Sequence, residues 1–168
     1  MPITPNEIYR LCLIEARRSD CAKMGFGCVA INIDGTLLGI GHNSRQESLA
    51  GFCPIDDCIR NKIPSRTQNM LGACHHAEES VIFQLINEGY RMKEVDLYVA
   101  GVRSDGKPYE KMNDEFTCLR CSVLMENAQV RSINVWNSTL LIWTKIKPFD
   151  AVQMAMGYAL EQKEVDSK

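Results

Sequence analysis

Phe26-Gly27-Cys28-Val29-Ala30-Ile31-Asn32-Ile33, then Asp34-Gly35, then Thr36-Leu37-Leu38-Gly39-Ile40-Gly41-His42 is the stretch on which the fold turns. Both flanks are β-rich runs, and the Asp-Gly pair between them is a two-residue hairpin signal, so two antiparallel strands are predicted. Just upstream, Thr4-Pro5-Asn6-Glu7 reads as a capping box with proline in the first turn. Ile8, Leu11, Cys12 and Ala16 then share one helical face, which predicts an opening helix that ends near Ser19.

Beyond the hairpin the pattern changes period. From Asn43 to His75 little periodicity is visible, in a stretch far longer than an ordinary loop. Val81, Ile82, Leu85 and Ile86 fall at helical spacing, predicting a helix over 77–87 that Gly89 terminates. Strands are predicted over 95–102, 131–136 and 140–146, a short helix over 119–127, and a last helix from Pro148 to about Gln162. Helices alternating with strands behind a hairpin imply a three-layer α/β/α sandwich with a mixed central sheet. The expectation is one domain over 1–168, with a long cysteine-containing loop insertion at about 43–75.

Bulk composition bounds the function. The chain has 168 residues, 45% of them hydrophobic, enough for a substantial core. Nineteen Lys and Arg against 21 Asp and Glu give a formal charge of −2, with no global basic footprint for long nucleic acid. No apolar run is long enough to cross a bilayer, and Met1-Pro2-Ile3-Thr4 lacks the basic and apolar regions of a secretory signal, so a cytoplasmic protein is expected. In that reducing setting the eight cysteines read as metal ligands or small buried apolar groups rather than disulfides.

Two short motifs carry the chemistry. His76-Ala77-Glu78 and, forty residues on, Cys118-Leu119-Arg120-Cys121 supply three ligands for one metal and a carboxylate that is not needed as a ligand. Three protein ligands on a tetrahedral zinc keep a fourth position open for water, which separates a catalytic site from a structural one. Both motifs begin helices, where exposed N–H groups favour thiolate over thiol. A carboxylate beside such a site suggests hydrolysis, with Glu78 as acid and base. The competing reading is a closed zinc knot with His75 or Cys74 as fourth ligand.

On this α/β pattern the order His-x-Glu, then Cys-x-x-Cys, resembles the zinc-dependent cytidine and deoxycytidylate deaminase superfamily. The resemblance runs from about Arg17 to Trp136 and is strongest to the deoxycytidylate (dCMP) branch. It implies His76, Cys118 and Cys121 as zinc ligands, Glu78 as the proton carrier, and dCMP converted to dUMP with release of ammonia. Gly41-His42-Asn43 is similar to the family's nucleoside-binding turn, so Asn43 is expected to bind substrate, with Ala77 and Thr117 beside it. Proline usually stands where Thr117 does, and an Asn-Ala pair usually follows the catalytic Glu where this chain has Glu79-Ser80.

Cys58-Ile59-Arg60, Ile63-Pro64-Ser65 and Cys74 resemble an insertion found in bacterial and phage members, some of which carry a second, structural zinc. Cys21, Cys58, Cys74 and His75 are the ligands expected for it, with Cys53 a further thiol in the segment. The alternative is that these are buried small apolar groups. Arg45, Arg60, Lys62 and Arg66 lie on the same segment as candidates for holding a phosphate. The resemblance also implies a homo-oligomer, for which Met154, Met156 and Tyr158 offer a surface. Competing functions are deamination of another nucleoside or nucleotide, editing of a base in RNA or DNA, and a catalytically silent zinc-stabilised module.

Overall fold

The computed structural model describes residues 3–54, 58–62, 74–109 and 117–166. In chain order its elements are α1 (Pro5–Arg18), β1 (Met24–Asn32), β2 (Leu37–His42), β3 (Ser44–Arg45), β4 (Cys74–His75), α2 (Ala77–Asn87), β5 (Val95–Arg103), α3 (Leu119–Asn127), β6 (Ser132–Asn137), β7 (Ile142–Ile146) and α4 (Pro148–Asp166). The opening helix starts as its capping box dictates: the Thr4 hydroxyl accepts from Glu7 N at 3.3 Å, and Glu7 Oε2 accepts from Thr4 N at 2.8 Å.

Five strands form one sheet in the order β2-β1-β5-β6-β7. Only the β5–β6 pair is parallel, and α3 lies in the connection between those two strands. Alternation along the strands separates two apolar layers. Val29 and Ile31 of β1 and Ala100 of β5 face α1, packing with Ile8, Cys12 and Trp136. Cys28 and Ala30, with Leu97, Val99, Ile133 and Val135, face the other way onto Val81, Ile82 and Leu85 of α2 and Cys121 and Met125 of α3. The result is the three-layer α/β/α sandwich expected from the sequence. Trp136 stacks on Tyr9 with ring centroids 4.1 Å apart, and Trp143 Nε1 donates to Pro5 O at 3.2 Å, so both indoles belong to the α1 layer.

The hairpin differs from its predicted form. Gly35 N donates to Asn32 O and Asn32 N to Thr36 O, both at 2.8 Å, so three residues form the loop. Gly35 closes a tight turn at φ +86, which needs the left-handed freedom of glycine, and a register shift follows between Ala30 and Ile31. Gly27 in β1 has another purpose. A Cβ on Gly27 would lie 2.0 Å from the Cys12 carbonyl oxygen, so α1 lies directly against the strand backbone.

The segment predicted as an aperiodic loop is pinned at both ends. Ser44 pairs with His75 and Arg45 with Cys74 in a two-residue antiparallel ladder immediately before α2. Arg45 adds three bonds there: its N and Nε donate to Asp20 at 2.8 and 3.0 Å, and Nη1 donates to Cys53 O at 2.9 Å.

Candidate metal centre

Two helix starts in the same layer bring the chemistry together. His76 is the residue before α2, held extended at φ −83 and ψ 155 by its place after β4, and Cys118 is the residue before α3 at φ −69 and ψ 154. Cys121 sits one turn further along α3 and is fully buried. His76 Nδ1 lies 3.1 Å from Cys121 Sγ and 3.3 Å from Cys118 Sγ, and all three ligand atoms fall within 4.8 Å of one another. Zn–S near 2.3 Å and Zn–N near 2.0 Å at the tetrahedral angle place N and S about 3.6 Å apart, so the donor set fits zinc after small side-chain rotations.

Of the three donors only Cys118 already carries its ligating charge, and His76 and Cys121 must each give up a proton to bind a metal. Hydrogen bonding from Cys121, opposed by burial and reinforced by His76, pulls the Cys118 thiol down to about 4. Burial disfavours the charged His76 ring, but the hydrogen bond to Cys118, its charge, and those of Glu78 and Glu79 push it up to about 9. Cys121 is driven upward by its hydrogen bond to Cys118 and by burial, with the Glu78 charge adding to both. One thiolate and one imidazolium therefore face each other at neutral pH.

Glu78, in the first turn of α2, is buried, and its charge reaches His76, Cys121 and Cys28. Among the described residues the 4.8 Å group contains three ligands and no carboxylate or fourth His or Cys. The closed-knot arrangement with His75 or Cys74 is thus not the one observed. Cys74 turns to Cys21 instead.

One arrangement escaped the sequence reading. Glu79, itself buried, accepts from His76 N at 2.9 Å through Oε2, and the Arg120 guanidinium grips both of its oxygens, Nε at 2.5 Å and Nη2 at 2.9 Å. A Glu at the third helical position was the available signal for the first bond. Nothing local announced its pairing with an arginine between two cysteines.

The remaining predicted residues are differently placed. Ala77 is fully buried at the start of α2. Thr117 directs its hydroxyl to Ser122 Oγ at 2.6 Å, and Ser122 donates on to Cys118 O at 3.1 Å, which braces the α3 start. Asn43 is bound to β1: Oδ1 accepts from Phe26 N at 2.6 Å and Nδ2 donates to Met24 O at 3.0 Å. It nevertheless precedes the ladder residue Ser44, whose partner His75 adjoins His76. Arg45 is committed to Asp20 and Cys53, and Arg66 lies outside the described residues.

Four thiols gather away from this centre. Cys53 and Cys58 are buried with Cys21 packed against them. Cys74 and, more weakly, Cys58 act on the Cys21 thiol, and Cys53 on Cys58, but among the described residues no three of these sulfurs lie within 4.8 Å of one another. The cluster takes in Cys53, which the expected ligand set left out, while His75 follows Cys74 in a strand, where successive side chains point to opposite faces.

Among the described residues no helix is long and apolar enough to cross a membrane. The cytidine deaminase of Burkholderia pseudomallei superposes with a TM-score of 0.58 at 16% identity, over 89% of this chain and 96% of that one. The dCMP deaminase of the cyanophage S-TIM5, solved in apo form, superposes with a TM-score of 0.54 at 15% identity, over 91% of this chain and 94% of that one. At such identities the likeness is one of fold. No curated protein sequence matches the chain. The family model of the cytidine and deoxycytidylate deaminase zinc-binding region matches residues 3–137, from the cap of α1 to the end of β6, and the chain belongs to that family.

Proposed function

We propose that the protein is a hydrolytic deaminase of a cytosine nucleotide, with dCMP as substrate and dUMP and ammonia as products. The observation that carries this reading is a three-ligand site with the buried Glu78 beside it and no fourth ligand among the described residues. Bound zinc supplies Lewis acidity and a nucleophile that is basic near neutral pH. Glu78 takes one proton from the attacking water and delivers it to the ring nitrogen, then takes the second from the new hydroxyl on the ring carbon and delivers it to the departing amine, so that the C–N bond breaks as the carbonyl forms and water plus substrate equal product plus ammonia. Ala77 offers its backbone N–H, which has no acceptor within its own helix, to the base. Asn43 keeps the second Nδ2 hydrogen for the nucleotide.

The test is ammonia release from cytidine, deoxycytidine, their monophosphates, and adenine and guanine analogues. Glu78→Gln should keep its metal and lose activity by about 10²–10⁴-fold. Equal inactivity of both proteins on every compound points instead to a non-catalytic module.

The reading includes a second, structural zinc and a homo-oligomeric state. The packing of Cys21 against the buried Cys53 and Cys58, with Cys74 acting on Cys21, supports the former, and binding the ion would draw these sulfurs closer than they lie now. Zinc counting should give two ions per chain, falling to one in Cys53→Ser. Met154 and Met156, 38% and 41% exposed on α4, support the latter, which light scattering tests.

A further inference from the structure

We infer that Glu79 and Arg120 form a positioning clamp that sets the distance between the two halves of the metal site. This rests on the reading of that site as a zinc centre. One ligand is carried by α2 and two by α3, so ligand geometry depends on how the two helix starts are held relative to each other. A single carboxylate does this: Glu79 binds the backbone N–H of His76 at 2.9 Å and, through two bonds at 2.5 and 2.9 Å, the guanidinium of Arg120, which lies between Cys118 and Cys121. Glu79 is 4% exposed, which shields the pair from competing water on the carboxylate side. A planar fork fixes both distance and orientation, as a lysine ammonium at the same place does not. Residues that hold the ligands from behind commonly change metal affinity by about 10–100-fold when altered.

Positioning and simple charge predict opposite signs. Removing a cation near a divalent metal favours the metal on Coulombic grounds, so if charge alone mattered Arg120→Met would bind zinc more tightly. If the clamp sets geometry, Arg120→Met binds zinc about 10–100-fold more weakly and Arg120→Lys, which keeps the charge and loses the fork, is also weakened. Glu79→Gln retains an acceptor for His76 N and separates that bond from the ion pair.

The experiment measures zinc affinity of the full chain by competition with a chromophoric chelator, with the thiolate-to-metal and d–d bands of the cobalt-substituted proteins as a second readout. Weaker zinc binding together with shifted cobalt bands, in variants whose metal-free thermal unfolding matches the parent, is the expected result. Affinity equal to or above the parent in both Arg120→Met and Arg120→Lys, with unchanged cobalt bands, overturns the clamp. If Arg120→Met does not fold, Arg120→Lys and Glu79→Gln decide it by the same two readouts. A parent chain that binds no zinc overturns the underlying reading of the site and the clamp with it, whereas a parent that binds zinc without deaminating anything leaves the clamp testable as stated.

Discussion

Replacing Asn43 by alanine asks whether this side chain serves the fold or the ligand. It is 7% exposed, and its amide closes two bonds to β1, from Phe26 N at 2.6 Å and to Met24 O at 3.0 Å. Alanine strands both backbone groups at a buried position, and an unsatisfied buried group costs about 1–3 kcal/mol. Two of them come to about 3 kcal/mol after partial relaxation, and at about 2–4 °C per kcal/mol for a chain of this size the midpoint should fall by roughly 6–12 °C. Asn43→Asp keeps the acceptor for Phe26 but sets a second oxygen against Met24 O. Its carboxyl should therefore titrate above the unfolded value, since only the protonated form can donate to that carbonyl. Stability favouring the protonated form is present at low pH and lost as pH rises, so the deficit of the aspartate variant should shrink between about pH 6 and pH 4 relative to the parent. Thermal unfolding across that range, run beside kcat and KM on the preferred substrate, is the assay. The reasoning is refuted if Asn43→Ala unfolds within about 1 °C of the parent while KM rises, because the amide would then be engaged with the ligand rather than with the strand.

Other perturbations test the frame and the metal. Gly27→Ala must move α1 from a 2.0 Å approach to an ordinary 3.4 Å, about 1.4 Å, and overpacking of that size should cost roughly 3 kcal/mol in urea unfolding. Gly157→Ala, in α4 with nothing within 4 Å of the added methyl, should by contrast stabilise by about 0.5–1 kcal/mol; a loss there would contradict the helix assignment. Zinc has to displace the proton that His76, raised to about 9, still carries at neutral pH. Cys121, held above the usual thiol range by its bond to Cys118 and by burial, must lose a proton as well, so affinity measured by chelator competition should tighten from about pH 6 through pH 9 and go on tightening beyond it; a flat profile between 6 and 9 would be inconsistent with the imidazolium–thiolate pair.

Much of the fold was legible because single residues act locally. Thr4 and Glu7 cap α1 as read, and Gly89, at φ +83 after α2, ends that helix with the Tyr90 N to Leu85 O bond at 2.9 Å. The Cys118-x-x-Cys121 spacing on a helix start turns both sulfurs toward His76 for the same reason. What was hidden is non-local or too short to have a period. A two-residue ladder leaves no alternation to detect, so Ser44–Arg45 and Cys74–His75 read as plain loop. The Asp34-Gly35 signal located the hairpin but not its length, since a glycine at positive φ suits both two- and three-residue loops. The Glu79–Arg120 pair joins positions forty-one residues apart, and each residue alone looks like an ordinary charge on a helix.

The ladder has a consequence for how this protein can change. By zipping residues 44–45 to 74–75 directly ahead of His76, it fixes the ligand's backbone by bonds that do not depend on the length of the chain excursion between them, whose Cys53 and Cys58 are themselves buried beside Cys21. Closure entropy grows only logarithmically, and doubling such an excursion adds about 0.6 kcal/mol. Changes of length or sequence in the excursion that leave Cys53 and Cys58 packed are then a cheap route to new selectivity, while the ladder keeps the reactive centre in register.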